Sequence, residues 1–186
     1  MDLAQKVETV SLPTVQSLKI ADRRRLWYAT RMLIGLRRSP VCTDIVSAVA
    51  AIEQQAFDSP WGAASLAQTL AQPETWLAVA QNAHQNIVAY CLCQSCIDEA
   101  TVLQMATEKG YRRQGLGKKL LLFCAQTLFA HGCTHLWLEV RSNNAAAIAL
   151  YQQIGFSTQN IRKQYYPPLS GNREYEDAQV MRMILG

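Results

Sequence analysis

The chain has 186 residues, 49% of them hydrophobic, and a net charge of +4. That is enough apolar material for one good core, so a single folded domain is expected. Its apolar runs are too short to cross a bilayer: the longest early one, Met32-Leu33-Ile34-Gly35-Leu36, falls short of both a signal-peptide core and a transmembrane helix. The protein is therefore expected in the cytoplasm, with no transmembrane segment.

Lys19 to Arg38 holds seven basic residues (Lys19, Arg23, Arg24, Arg25, Arg31, Arg37 and Arg38) against Asp22 alone. Leu26, Ala29, Leu33 and Leu36 recur there at helical spacing, which predicts a basic amphipathic helix within an N-terminal extension, residues 1–42. Such a helix is either packed on the domain or an arm for ribosomal RNA or anionic lipid, since clustered Arg attracts phosphate without sequence-specific contacts. The domain proper is expected over 43–186.

Thr43 or Asp44 can cap the next helix, with Ile45, Val49, Ile52 and Ala56 as its apolar stripe. Ser59-Pro60 then starts a second helix running to about Ala71, with Phe57 and Trp61 flanking the break. Trp76 to Ala80 and Ile87 to Ile97 read as antiparallel strands joined by the polar turn Gln81 to Asn86. Cys91 and Cys93 are two of six cysteines. They share one face of the second strand and, without paired Cys-x-x-Cys or His ligands, read as core thiols in a reducing compartment; no metal is expected.

Thr101 to Thr107 is the next strand, followed by the basic glycine loop Arg112-Arg113-Gln114-Gly115-Leu116-Gly117 and a helix. A strand, a glycine loop and a helix N-terminus together make an anion site, because unpaired N–H groups and the helix dipole face one point. A nucleoside-triphosphate loop needs Ser or Thr after its Lys, but Lys119 follows Lys118. A dinucleotide fingerprint needs a third Gly where Leu120 stands. What remains is a diphosphate held on loop amides with help from Arg112, Arg113, Lys118 and Lys119, which suits a cofactor with a long thioester arm.

The strand Leu136 to Arg141 puts Leu136, Leu138 and Val140 on one face and His135, Trp137, Glu139 and Arg141 on the other. An acidic residue in such a strand asks for a reason. Glu139 is either a salt-bridge partner of Arg141 or another base, or a general base that takes a proton in catalysis. Tyr151 follows on a second helix, seven residues after Asn144, so both can face one side. The final strand is about Gln179 to Leu185, and His84, His131 and His135 form no nucleophile triad with what surrounds them. Strands, helix, strand, helix and final strands make an α/β mixed sheet of six or seven strands with helices on both faces.

The spacing Arg112-x-x-Gly115-x-Gly117 resembles the acetyl-CoA motif of the GNAT acyltransferases. The run Leu136-Trp137-Leu138-Glu139-Val140-Arg141-Ser142-Asn143-Asn144 through Tyr151, with Ile154-Gly155-Phe156, Tyr165-Tyr166-Pro167 and Glu176-Asp177-Ala178, is similar to the branch that acetylates a ribosomal protein's N-terminal alanine. The resemblance covers the chain from near Ile45 onward. It implies acetyl-CoA as co-substrate, with Met105, Ala106 and Thr107 binding the pantetheine arm through their backbone and residues Arg112 to Lys118 (Gln114 and Leu116 included) holding the diphosphate. It further implies that Asn144 contacts the cofactor and that Tyr151 acts as general acid; the alternative for Tyr151 is a packed helix aromatic. Trp61 would border the acceptor groove, or else belong to the core, and Tyr165 and Tyr166 would begin a loop closing over the acceptor. Thr107-Glu108-Lys109-Gly110 departs from the Val-Asp-Pro common in relatives, which implies a changed turn.

An α-amine titrates near ~8 and a Lys side chain near ~10.4, so neutralising them at pH 7 costs about 1.4 and about 4 to 5 kcal/mol. A carboxylate base therefore suits an N-terminus. The expected function is acetylation of a protein N-terminus, most specifically the N-terminal alanine of a small-subunit ribosomal protein. The alternatives are a broader amine acetyltransferase or a CoA-sensing, ribosome-binding module without turnover.

Overall fold

Strands rich in apolar residues and two pairs of amphipathic helices leave one economical arrangement, a sheet covered on both faces. The computed structural model describes residues 33–37, 43–169 and 174–186. Its strands are β1 (Leu33–Arg37), β2 (Thr75–Gln81), β3 (Ile87–Cys96), β4 (Glu99–Thr107), β5 (His135–Arg141), β6 (Ser157–Tyr166) and β7 (Glu176–Ile184). The helices are α1 (Thr43–Ala56), α2 (Ala63–Leu70), α3 (Leu116–Ala130) and α4 (Ala145–Gln153). All seven strands form one sheet in the order β1-β2-β3-β4-β5-β7-β6, as the expected mixed sheet requires. Every neighbouring pair is antiparallel except β4 and β5. A parallel pair needs a crossover, and α3 supplies it.

On one face Leu120, Leu121, Cys124 and Leu128 of α3 and Tyr151 of α4 pack on Ala78, Cys91, Cys93, Leu136, Leu138 and Met181. On the other, Val46, Val49 and Ile52 of α1 and Leu66 and Leu70 of α2 cover Leu77, Val79, Tyr90 and Leu92. Because β2 and β3 are covered twice, they read as continuous apolar runs. β5 keeps the expected alternation, with Leu136, Leu138 and Val140 buried and the residues between them half-buried.

Several expectations change. Leu33–Arg37 is a strand paired antiparallel with β2, not the end of the basic helix; the rest of that expected helix, and with it any contact of its arginines, lies outside the described residues. The sheet thus begins ahead of residue 43. The buried stripe of α1 is Val46, Val49, Ile52 and Glu53, with Ile45 only half-buried. The second helix starts at Ala63, behind Gly62 in extended conformation, and the Trp61 N–H just ahead of it donates to the Glu53 carboxylate (2.9 Å). Ile97 stands in the turn after β3 with φ +58°, and Tyr165 and Tyr166 end β6 instead of opening a loop. No helix among the described residues is long and apolar enough to cross a membrane.

Candidate active site

The two parallel strands part halfway. β4 and β5 pair from Glu99 with His135 to Val102 with Leu138 and no further, although β4 continues to Thr107 and β5 to Arg141. From Leu103 onward, β4 is paired only on the β3 side, which opens a cleft whose one wall is main chain. The cause is visible on that side: Leu92 pairs with Gln104 and Cys93 with Val102, so Leu103 is an extra residue, a β-bulge that bends β4 at the point of divergence. Met105, Ala106 and Thr107 line the parted segment, with Ala106 buried towards α1 and α2 and Met105 packed towards α3.

The glycine loop closes one end of this cleft. Lys109–Tyr111 forms a short 3-10 turn, and the Arg112 Nε donates to the Thr107 carbonyl (3.0 Å), tying the loop to the end of β4. Gln114 Nε2 donates to the Gly110 carbonyl (3.1 Å). Arg113 and Gly115 both take positive φ, +63° and +77°, and Gly115 is the N-cap of α3. The first α3 amide with a main-chain partner is that of Lys119, on Gly115 O at 3.1 Å. The amides of Leu116, Gly117 and Lys118 therefore have no main-chain acceptor among the described residues, and an anion would satisfy them. A Cβ at Gly117 would stand 3.4 Å from Met105 Cε and 3.5 Å from Leu150 Cδ2, ordinary contact with two flexible side-chain ends, so the site has room for a methyl group. Arg112, Arg113 and Lys119 are exposed around the loop, while Lys118 is half-buried.

Glu139 lies on β5 beyond the divergence. Its Oε1 accepts from Arg162 Nη1 of β6 at 3.0 Å, so the expected salt bridge exists but its partner is not Arg141. Arg141 instead pairs with Glu176 (3.2 Å), donates to the Pro167 carbonyl (3.1 Å) and lies 4.6 Å above the Tyr166 ring. Tyr165 and Tyr166 pack edge to face, centroids 5.2 Å apart. The Tyr165 phenol is pushed up, first by its hydrogen bond with Glu139 and then by burial. Tyr166 is pushed up to about 12, mainly by burial and then by the charge of Glu139.

A wide irregularity in β6 aims these rings. Between Arg162, opposite Ala178, and Tyr166, opposite Glu176, three residues face Asp177 alone. Asp177 fills that bulge by accepting from the Gln164 N–H (3.0 Å) and from Lys163 Nζ (2.7 Å), with Gln164 at φ +50°. Glu176 and Asp177, conspicuous in the sequence only as part of a motif, are thus the supports of the tyrosine pair.

Tyr151 comes from the opposite face. It is buried, packs 5.8 Å from Phe156, and its phenol is pushed up by burial first, then by Cys91 and Tyr166. Tyr166 is therefore a neighbour that Tyr151 and Glu139 share. Asn144 is the N-cap of α4, its Oδ1 accepting from the Ala147 N–H (3.1 Å). The cleft does not gather the histidines: His131 is bonded to the Thr127 carbonyl and stacked edgewise on Trp76, His135 is bonded to Thr134 at the far end of β5, and His84 sits in an exposed turn.

Trp61 is half-buried against the α1 and α2 core. Sequence reasoning missed what holds it. Glu53 is wholly buried, and its carboxylate accepts from both the Trp61 N–H and the Tyr90 hydroxyl. The one available signal was a charged residue at the i, i+3, i+4 position of an otherwise apolar stripe, a place where only a fully hydrogen-bonded carboxylate is tolerated. Arg162 was missed as well, since nothing local marks it.

A splayed parallel pair, a bulge and an amide-lined helix start at the end of the split strand define an acyltransferase of the GNAT class. Consistent with this, the model of the acetyltransferase (GNAT) family matches residues 46–156, and the chain belongs to that family. It is similar to the protein named [Ribosomal protein bS18]-alanine N-acetyltransferase of Escherichia coli strain K12, with 40% identity over 132 residues, 71% of this chain and 86% of the other. The protein of the same name from Haemophilus ducreyi is 39% identical over 134 residues, 72% of this chain and 90% of its own. Among solved structures, the Escherichia coli ribosomal-protein-S18-alanine N-acetyltransferase superposes with a TM-score of 0.73 at 33% identity, covering 83% of this chain and 95% of that one.

Proposed function

We propose that this protein transfers an acetyl group from acetyl-CoA to the N-terminal α-amine of a protein, and that its acceptor is the N-terminal alanine of ribosomal protein bS18. The observation that carries the reading is the parting of β4 from β5 beyond Val102 and Leu138, with unpaired amides at the start of α3; Glu139 and Tyr151 are assigned to the two faces of that gap. The similarity to the alanine acetyltransferases adds the acceptor.

Acetyl-CoA fits what is present. The amides of Leu116, Gly117 and Lys118, with Arg112, Arg113 and Lys118 side chains around them, would hold its diphosphate. The main chain of Met105 to Thr107 would hold the pantetheine arm, with Gln114 fixing the loop and Asn144 fixing the start of α4. The co-substrate supplies a thioester, an acyl donor with a good leaving group.

Glu139 takes the proton of the incoming ammonium, directly or through water, and a neutral amine results. Its carboxylate is already oriented by Arg162 and Tyr165. Tyr151 is protonated in the resting protein because burial disfavours the phenolate. As the amine nitrogen bonds the acetyl carbon and the C–S bond breaks, Tyr151 gives its proton to the departing sulfur, and the proton shed by the nitrogen as the amide forms restores the phenol. Tyr165, Tyr166 and Trp61 flank the acceptor's first residues. Turnover is tested with acetyl-CoA and an N-terminal bS18 peptide, read by mass spectrometry, beside peptides starting with other residues and a free polyamine. Acetylation of the alanine peptide at its α-amine is expected; equal or faster transfer to the others would replace the acceptor assignment, and transfer to none would refute the activity.

A further inference from the structure

Three thiols meet in the core where β3 passes beneath α3. Cys91 and Cys93 stand two apart on β3, and Cys124 descends on them from α3. The Sγ atoms of Cys91 and Cys93 are 3.8 Å apart, and all three sulfurs lie within 4.8 Å of one another. All are free thiols, exposed by 0%, 0% and 1%. Arsenic(III) keeps a lone pair and is pyramidal; with bonds of about 2.3 Å, similar to zinc–thiolate bonds, and S–As–S angles of about 95°, it holds three sulfurs about 3.4 Å apart. With separations of 3.8 Å for Cys91–Cys93 and no more than 4.8 Å for the others, the three sulfurs need only draw together slightly to close on such an ion.

We propose that Cys91, Cys93 and Cys124 form a binding site for a trivalent thiophilic ion of the arsenic(III) class. Charge selects the valence. The surroundings are the apolar cluster of Ala78, Leu120, Leu121 and Leu138, in which an unpaired charge costs several kcal/mol. Three thiolates on a monovalent ion leave a charge of −2 and on a divalent ion −1, whereas a trivalent ion gives a neutral complex. Coordination number selects in the same sense: a tetrahedral ion wants a fourth ligand, and among the described residues no further Cys, His, Asp or Glu joins the three.

The chemistry balances without a redox partner. Arsenous acid, As(OH)3, meets three thiols; three As–O and three S–H bonds break, three As–S bonds form, and three water molecules leave. Neither arsenic nor sulfur changes oxidation state. The uncharged acid enters by local opening of the core, with no charge to carry into it.

The test uses the full chain and sodium arsenite. Native mass spectrometry should find one arsenic per chain with the loss of three protons, and X-ray absorption at the arsenic edge should find three sulfur neighbours. Cys93→Ala and Cys124→Ala, checked for folding by near-UV circular dichroism, should each weaken binding by at least about tenfold, while Cys96→Ala, at an exposed thiol, should leave it unchanged. No adduct, two sulfurs with an oxygen in the wild-type spectrum, or undiminished binding by Cys124→Ala would overturn the site. The wild-type coordination number decides even if a variant fails to fold.

Discussion

Glu139 on β5 and Arg162 on β6 form an ion pair of 3.0 Å across the intervening strand β7. Their side chains are 26% and 51% exposed, and pairs so open to water contribute about 0–1 kcal/mol. The bond orients the carboxylate but is too weak to be the reason for an acid in this strand. It also places a movable cation beside the group proposed as base, on the same strand segment that carries Tyr165 and Tyr166.

From this weakness follows a separation of stability from turnover. Glu139→Gln should change unfolding free energy by no more than about 1 kcal/mol and lower turnover by roughly 10²–10⁴-fold near neutral pH. Part of the loss should return as pH rises past ~8, where solution supplies neutral α-amine. Urea titration and a pH–rate profile on the same samples read both; full activity in Glu139→Gln would move the base elsewhere.

Tyr151→Phe should differ in pH signature. Its deficit should persist at high pH, because the missing proton donor cannot be replaced by a more basic solution. Burial raises both Tyr151 and Tyr90 above the ordinary tyrosine value near ~10, so the folded state favours the protonated phenols. Above about pH 10 the unfolded chain releases protons that the folded chain retains, and stability falls as pH rises. Tyr151→Phe should therefore show a shallower alkaline fall in urea titrations between about pH 9 and 11; an unchanged slope would mean that Tyr151 does not carry this linkage.

The two loop glycines should respond differently to the same small change. At Gly115 a Cβ has open space but φ is +77°, so Gly115→Ala should cost about 1–2 kcal/mol through backbone strain. At Gly117 the added methyl meets only flexible side-chain ends, and Gly117→Ala should retain both stability and acetyl-CoA affinity. Gly117→Asp should abolish binding by setting a carboxylate at the anion site. Calorimetry finding wild-type affinity in a folded Gly117→Asp protein would remove the diphosphate from this loop.

Glu53→Ala should be among the costlier single changes. It leaves the Tyr90 hydroxyl and the Trp61 N–H without their shared acceptor, at about 1–3 kcal/mol for each stranded donor. Because Trp61 sits on the freed loop, the peptide KM should rise more than the acetyl-CoA KM. Equal rises would separate Trp61 from acceptor binding.

Much of the scaffold was legible from spacing alone. The two-residue period of β5 survives because helices bury only one of its faces, and the glycine loop announces itself because φ values of +77° at an N-cap are cheap only for Gly. Leu33-Ile34-Gly35-Leu36 misled because so short an apolar stretch fits a helical and an extended period equally; the open edge of β2 decided for strand. The parting of β4 from β5, the bulge at Leu103, the partner of Glu139, the two donors on Glu53 and the approach of Cys124 to Cys91 and Cys93 were beyond any local pattern. Each joins residues on different elements, and their meeting depends on strand order and helix placement, which emerge only when the two apolar faces of the sheet are covered at once.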